Sequence, residues 1–260
     1  MPLSHALNIL RFQDHAHRYP QLKDPSLVRL PNGRWAMFTT LCGSSAPLGV
    51  GRFVAPSLEG PWQELAPVAF HNLSGPELCA PALRLVPDRQ RRTLRWEMYI
   101  QTSCFQRNGV IALAVSSDGR NFYGARTVAS VGTLERAGAP AVGLYDAGYS
   151  RLTLGGERLD ALVYSGYRTL EGPGGRLAGV GDLYLSLRRP GQDWTAGRRV
   201  LAHHELPFHN QPGYPDYEWG LEGAKLLELS PGRFLLVGVC FLERPQRFDG
   251  QRQRVFMAAA

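Results

Sequence analysis

The 260-residue sequence has no long hydrophobic run and no leader-like start. Its longest uninterrupted apolar stretch is the nine residues from Phe234 to Leu242, whereas a helix that crosses a bilayer needs roughly 18. No apolar core of about 7–15 residues follows a basic start within residues 1–20. We therefore expect a cytoplasmic protein that does not bind membranes.

Lysine is almost missing as well. Of the 29 basic residues, 27 are arginine, and the only lysines are Lys23 and Lys225. The formal net charge of +7 would suit nucleic acid, but the arginines are scattered along the chain and form no stripe. Net charge alone supports only solubility or weak association. We expect no nucleic-acid partner.

Cysteines are few, and their spacing does not suit a metal site. The four, at positions 42, 79, 104 and 240, include no CxxC pair and have no histidine at zinc-finger spacing. His203 and His204 are adjacent, so on a strand they would face opposite ways. We interpret the cysteines as buried thiols and expect neither a metal nor another cofactor.

Helical periodicity is also lacking. No window of about 11–18 residues repeats its apolar positions every 3.6 residues. What recurs is a short apolar run, a turn with glycine, and a second run rich in aromatics, as in Leu27–Leu30, Asn32-Gly33 and Arg34–Thr40. Hydrophobic residues make up 44% of the chain, enough for a packed core. The pattern predicts an all-β protein.

This unit occurs four times, over residues of approximately 20–65, 77–125, 141–196 and 217–260. Repeats of antiparallel strands that cannot bury their faces alone are typical of β-propeller blades. We predict one β-propeller domain over residues 1–260 with four recognisable blades. Either the N-terminal segment Ala6–Phe12 closes the ring as part of a fifth, partial blade, or a last blade is missing from the chain.

Three acids stand at the openings of three repeats. Asp24, Asp146 and Glu222 each precede the turn glycine of their hairpin by nine or ten residues. Taken singly, each has an ordinary explanation in a turn. Because the first strands of propeller blades line a central channel, their shared register predicts that they meet there. Crowded carboxyl groups push their pKa values apart, which yields a protonated acid beside an ionised base.

The sequence around these acids resembles the blade openings of glycoside hydrolase family 43. The segments that carry the resemblance are Lys23-Asp24-Pro25, Cys79-Ala80-Pro81, Tyr145-Asp146-Ala147 and Leu221-Glu222-Gly223. The family consists of five-bladed propellers and includes arabinanases, arabinofuranosidases and xylosidases. The resemblance implies an inverting hydrolase of pentose-containing glycans, with Asp24 as general base, Glu222 as general acid and Asp146 orienting Glu222.

The chain departs from the family in the second repeat. A Trp-Ala-Pro-Asp motif is common there, whereas this chain has Cys79-Ala80-Pro81-Ala82. Two alternatives therefore stay open: a sugar-binding propeller without turnover, and a glycosyl transferase or phosphorylase of the same clan.

Aromatic residues near the strand starts are candidates for stacking on a sugar. They are Trp35, Phe105, Tyr167, Tyr217 and Trp219. The segment from His203 to Trp219 directly precedes Glu222, and we predict that it is the specificity loop. The expected partner is a carbohydrate, and the sequence leaves the oligomeric state open.

Overall fold

The structure is a computed structural model. It describes residues 21–43, 47–75, 77–88, 92–103, 108–135, 141–171, 177–202, 205, 221–241 and 253–259. The regular elements of these ranges are strands and short 3-10 turns. The prediction of a nearly all-β chain is confirmed. No described helix is long and apolar enough to span a membrane.

The first sheet contains four antiparallel strands in chain order. They are β1 (Gln21–Arg29), β2 (Trp35–Cys42), β3 (Pro47–Ala55) and β4 (Gln63–Leu65). The turn between β1 and β2 is the predicted Asn-Gly turn, in which Gly33 takes a positive φ of 83°. The Arg34 backbone N–H donates to Asn32 Oδ1 at 3.1 Å.

The second sheet contains five strands, one more than the first sheet. Its strands are β5 (Ala69–His71), β6 (Cys79–Asp88), β7 (Thr93–Gln101), β8 (Ile111–Ser116) and β9 (Asn121–Ala129). Strands β6 to β9 are antiparallel neighbours, and β5 pairs in parallel with the outer edge of β9. With only three residues, β5 is too short for a sequence pattern to reveal.

The last two sheets repeat this plan. The third sheet consists of β10 (Ala141–Leu154), β11 (Glu157–Glu171), β12 (Leu177–Arg188) and β13 (Arg198–Leu201). The fourth sheet consists of β14 (Leu221–Ser230), β15 (Arg233–Phe241) and β16 (Gln253–Ala259). In both sheets successive strands are antiparallel.

Apolar side chains fill the spaces between successive sheets. Phe38, Met98 and Phe122 pack together between the first and second sheets. Two similar clusters join the second sheet to the third and the third to the fourth. Burying one such side chain contributes about 1.5–3 kcal/mol. This serial packing makes the first strands neighbours: β1 contacts β6, β6 contacts β10, and β10 contacts β14.

Candidate active site

All four first strands contain a bulge at the same place. The pairing with the second strand skips between Lys23 and Ser26 in β1, and skips likewise in β6, β10 and β14. One residue of each bulge has a left-handed backbone: Asp24 (φ 53°), Ala80 (φ 52°), Asp146 (φ 51°) and Gly223 (φ 57°). Bulges redirect side chains and are frequent beside active sites.

The bulges show that one of the three acids, Glu222, stands one residue before the position that the other two occupy. Asp24 and Asp146 are the left-handed residues of their strands, but in β14 that position is Gly223 and Glu222 comes before it. The spacing to the hairpin glycine reflects this offset, because it is ten residues from Glu222 but nine from Asp24 and from Asp146. In the second sheet the acid position is taken by Ala80.

Asp24 is the half-buried acid with cationic neighbours. Its Oδ2 accepts a 2.7 Å hydrogen bond from Thr40 Oγ1. Burial raises its pKa, while the Thr40 bond and the charges of Lys23 and Lys225 act in the opposite direction. Lys225 Nζ also donates to the Pro25 carbonyl at 2.9 Å. Both lysines of the chain thus lie beside this one carboxyl group.

Glu222 lies against two tyrosines. The Tyr167 hydroxyl donates to Glu222 Oε1, and the Tyr167 ring stacks on Tyr145 with centroids 3.6 Å apart. Burial raises the pKa of Glu222 to about 8; the Asp24 charge adds to the rise, and hydrogen bonds from Tyr167 and Tyr145 oppose it. Near neutral pH, Glu222 therefore carries a proton that it can donate.

Asp146 is anchored through its backbone. Its N–H donates to Gln101 Oε1 at 2.8 Å. Burial raises the pKa of the Asp146 carboxyl well above its ordinary value, and the charges of Asp24 and Glu222 raise it further. The Asp24 charge acts on both Asp146 and Glu222, and the Glu222 charge acts on Asp146, so the three acids form one electrostatic cluster.

The cluster has the composition of an acid–base site. In the part of the chain that the structure describes, no group of three or more His, Cys, Asp or Glu side chains is arranged to hold a metal ion. All three acids of the cluster are partly exposed. Perturbed carboxyl groups that a ligand can reach are typical of catalytic sites.

The structure does not bring Trp35 to this cluster. Trp35 pairs with Arg29 near the hairpin turn, whereas Thr40 lies at the opposite end of β2. The Trp35 ring packs against the cluster that contains Met37 and Trp62. Sequence proximity to the hairpin misled the prediction, because the acids lie at the other end of the strand.

Tyr167 is at the site, although not as a stacking platform. It is 4% exposed, its ring stacks on Tyr145, and its hydroxyl donates a hydrogen bond to Glu222. The remaining candidates Phe105, Tyr217 and Trp219 lie outside the described residues, as do 203–204 and 206–219 of the predicted specificity loop.

Sequence reasoning missed the residues that hold the acids in place. They are Thr40, Gln101, Tyr145 and Lys225. Thr40 and Gln101 both lie near the ends of second strands, opposite the residue that begins the bulge. Their shared position becomes visible only once the strands are paired and the next sheet is packed against them.

Comparison with known proteins supports the same fold. Neither the protein-family models nor the curated proteins include a match. Among solved structures, a thermostable family-43 glycoside hydrolase is similar with a TM-score of 0.59 and 13% identity, over 92% of this chain and 68% of that one. An endo-arabinase from Bacteroides thetaiotaomicron has a TM-score of 0.52 and 13% identity, over 91% and 74%.

A third similar structure contains a sugar. It is an α-L-arabinanase from Penicillium chrysogenum complexed with arabinobiose, with a TM-score of 0.55 and 15% identity, over 93% of this chain and 63% of that one. The chain thus spans about two thirds of the length of these three structures. The likeness shows that the chain has a fold similar to that of glycoside hydrolase family 43.

Proposed function

We propose that the protein is a glycoside hydrolase that cleaves arabinosides or xylosides in pentose-containing glycans. The observation that carries the proposal is the cluster of Asp24, Asp146 and Glu222, in which the pKa of Glu222 is raised to about 8. The similar structures that act on arabinan or bind arabinobiose support the choice of a pentose substrate.

The roles of the acids follow from their neighbours. Asp24 keeps its negative charge most easily, because it accepts the Thr40 hydrogen bond and lies beside Lys23 and Lys225. It is therefore the general base. Glu222 holds its proton near neutral pH and is the general acid. Asp146 is the residue that orients Glu222 and tunes its pKa, a role supported by the electrostatic interaction between the two carboxyl groups.

The proposed reaction is a single displacement. Asp24 takes a proton from water, whose oxygen bonds to the anomeric carbon as the bond to the leaving oxygen breaks and Glu222 gives that oxygen its proton. This route inverts the anomeric centre and requires base and acid carboxyl groups about 6.5–9.5 Å apart. NMR of the first-formed sugar anomer would test it, and a retained configuration would contradict it.

The test of the function compares Glu222→Gln with the wild type. Substrates are nitrophenyl arabinofuranosides and xylosides, together with arabino-oligosaccharides. General acid catalysis contributes about 10²–10⁴-fold, and a poor leaving group depends on it most. We expect Glu222→Gln to lower kcat by at least about 10²-fold on oligosaccharides. The loss should be smaller on nitrophenyl glycosides.

The matched control is Glu228→Gln on the same strand. Glu228 Oε2 accepts the Thr153 backbone N–H at 2.7 Å, away from the cluster, so its loss should leave kcat unchanged. Full oligosaccharide activity in Glu222→Gln would contradict the role of Glu222. A wild type that binds sugars without cleaving any would favour the binding propeller, and turnover that needs phosphate would favour the phosphorylase.

We also propose that the four sheets are blades of one propeller, which residues 6–12 help to close. The face-to-face packing of successive sheets and the Lys225 to Pro25 hydrogen bond from the fourth sheet back to the first support this arrangement. Deleting residues 2–20 should then lower the melting temperature. An unchanged melting temperature would contradict closure by this segment.

A further inference from the structure

Three second strands carry a buried polar residue at one equivalent position. Thr40, Gln101 and Ser165 pair with Lys23, Cys79 and Tyr145, the residues at which the three bulges begin. They are 2%, 1% and 0% exposed. Polar side chains are costly at such depth unless they are hydrogen-bonded.

Each of these side chains bonds to the first strand of the next sheet. Thr40 Oγ1 accepts from the Ala80 backbone N–H at 2.8 Å, and Gln101 Oε1 accepts from the Asp146 N–H at 2.8 Å. Ser165 Oγ donates to the Leu221 carbonyl at 2.5 Å. The bulges of the second and third sheets are therefore held by the preceding sheet at their left-handed residue.

Gln101 uses both ends of its amide, much as the Thr40 hydroxyl both donates to Asp24 and accepts from Ala80. Its Nε2 donates to Cys79 Sγ at 2.9 Å, and Oε1 must face Asp146 because a backbone N–H can only donate. The amide thus links the second-sheet bulge to the third-sheet bulge. Asp146 has a left-handed backbone, which costs a residue other than glycine about 1–2 kcal/mol. Such a conformation persists only where its surroundings hold it.

We infer that Gln101 is a positioning residue, which holds the Asp146 carboxyl in place beside Glu222 through the Asp146 backbone. The positioning role follows from the contacts of Gln101, and only its expected effect on kcat rests on the proposed function. A displacement of about 1 Å in a catalytic group can cost up to 100-fold in rate. Gln101 touches neither substrate nor reacting atoms in this scheme and acts entirely through Asp146.

The test is Gln101→Met, which keeps the volume and removes both hydrogen bonds. We expect kcat to fall about 10–100-fold with little change in KM. A readout without substrate is the pKa of the Asp146 carboxyl, followed by ¹³C NMR. Burial and the facing groups Asp24, Glu222 and Cys79 raise that pKa in the wild type, and they outweigh the Gly223 backbone N–H, whose hydrogen bond to the carboxyl group lowers it. Once Asp146 is no longer held among them, it should fall towards its ordinary value.

The control is Ser116→Ala at the end of β8. Ser116 is also buried, and its Oγ accepts the Asp118 and Gly119 backbone N–H groups far from the acids. It should lower the melting temperature without changing kcat or the Asp146 pKa. If Gln101→Met lowers only the melting temperature, or leaves the Asp146 pKa in place, the inference is overturned. If the Asp146 pKa falls but the wild type cleaves no glycoside, the proposed function is what fails.

Discussion

At the scale of single residues, Tyr167 sets how strongly Glu222 holds its proton. Its hydrogen bond stabilises the charged carboxylate and so lowers the Glu222 pKa from the value that burial alone would give. Tyr167→Phe should therefore raise that pKa, and the basic limb of the kcat/KM profile should move to higher pH. A bond to a charged group is worth about 1.5–3 kcal/mol, so we expect a shift of about one to two pH units.

The control for this prediction is Tyr164→Phe on the same strand. Tyr164 is equally buried, and its hydroxyl lies 2.9 Å from Ser186 Oγ within the core between the second and third sheets. Its loss should destabilise the fold and leave the basic limb where it is. A limb that stays in place in Tyr167→Phe would show that another group sets it.

The acids could be predicted from the sequence, but the residues that hold them could not. Asp24 and Asp146 stand out because turn glycines mark the register of each hairpin. The spacing of ten residues indicates that Glu222 is displaced by one residue, but it does not reveal the bulge, which depends on how two strands pair. Thr40 and Gln101 are unremarkable strand residues until the next sheet is placed against them. Trp35 is misplaced for a different reason: it directly follows the hairpin turn, and antiparallel pairing puts this end of β2 away from Asp24.

At the scale of the element, each first strand has a bulge with one left-handed residue, and in two of the strands that residue is an acid. Gly223 adopts this left-handed conformation without steric cost. Asp24 and Asp146 belong to a residue type that tolerates it, and Ala80 is the least suited of the four. Strain of this kind collects at functional sites. The β14 bulge differs because its acid, Glu222, stands before the strained residue, and that leaves the strained position free for glycine.

Gly223→Ala should therefore destabilise the protein through its backbone alone. A Cβ at Gly223 would meet no atom within 4 Å, so only the left-handed strain of about 1–2 kcal/mol remains. Alanine also restricts the unfolded chain, and this loss of conformational entropy stabilises the folded state by about 0.4–1 kcal/mol. We expect a net loss of about 0.5–1.5 kcal/mol in urea denaturation. Gly132→Ala is the control: its Cβ is also unhindered and its φ is not positive, so its stability should stay equal or rise.

At the scale of the whole molecule, buried charges join the second and third sheets. Glu97 accepts from Arg84 Nε at 2.7 Å, and Arg84 Nη1 reaches Asp160 across the interface at 2.6 Å. Arg188 Nε donates to the same Asp160 oxygen at 3.0 Å, and the Tyr149 hydroxyl donates to the other at 2.7 Å. The pKa of Asp160 is lowered, because the Tyr149 bond and the arginines outweigh its burial.

Asp160→Asn tests whether this network holds the sheets together. The substitution keeps the shape but leaves Arg84 and Arg188, both largely buried, with Glu97 as their remaining carboxylate. Breaking a buried pair costs about 3–5 kcal/mol, and we expect a loss of that order in urea denaturation at pH 7. Because the Asp160 pKa is lowered in the folded state, the loss should shrink as the pH falls through that lowered pKa.

The control is Asp193→Asn, whose carboxylate pairs with Arg126 at 2.8 Å but is 90% exposed, so it should cost less than about 1 kcal/mol. Equal losses in the two variants would show that the network does not bind the sheets.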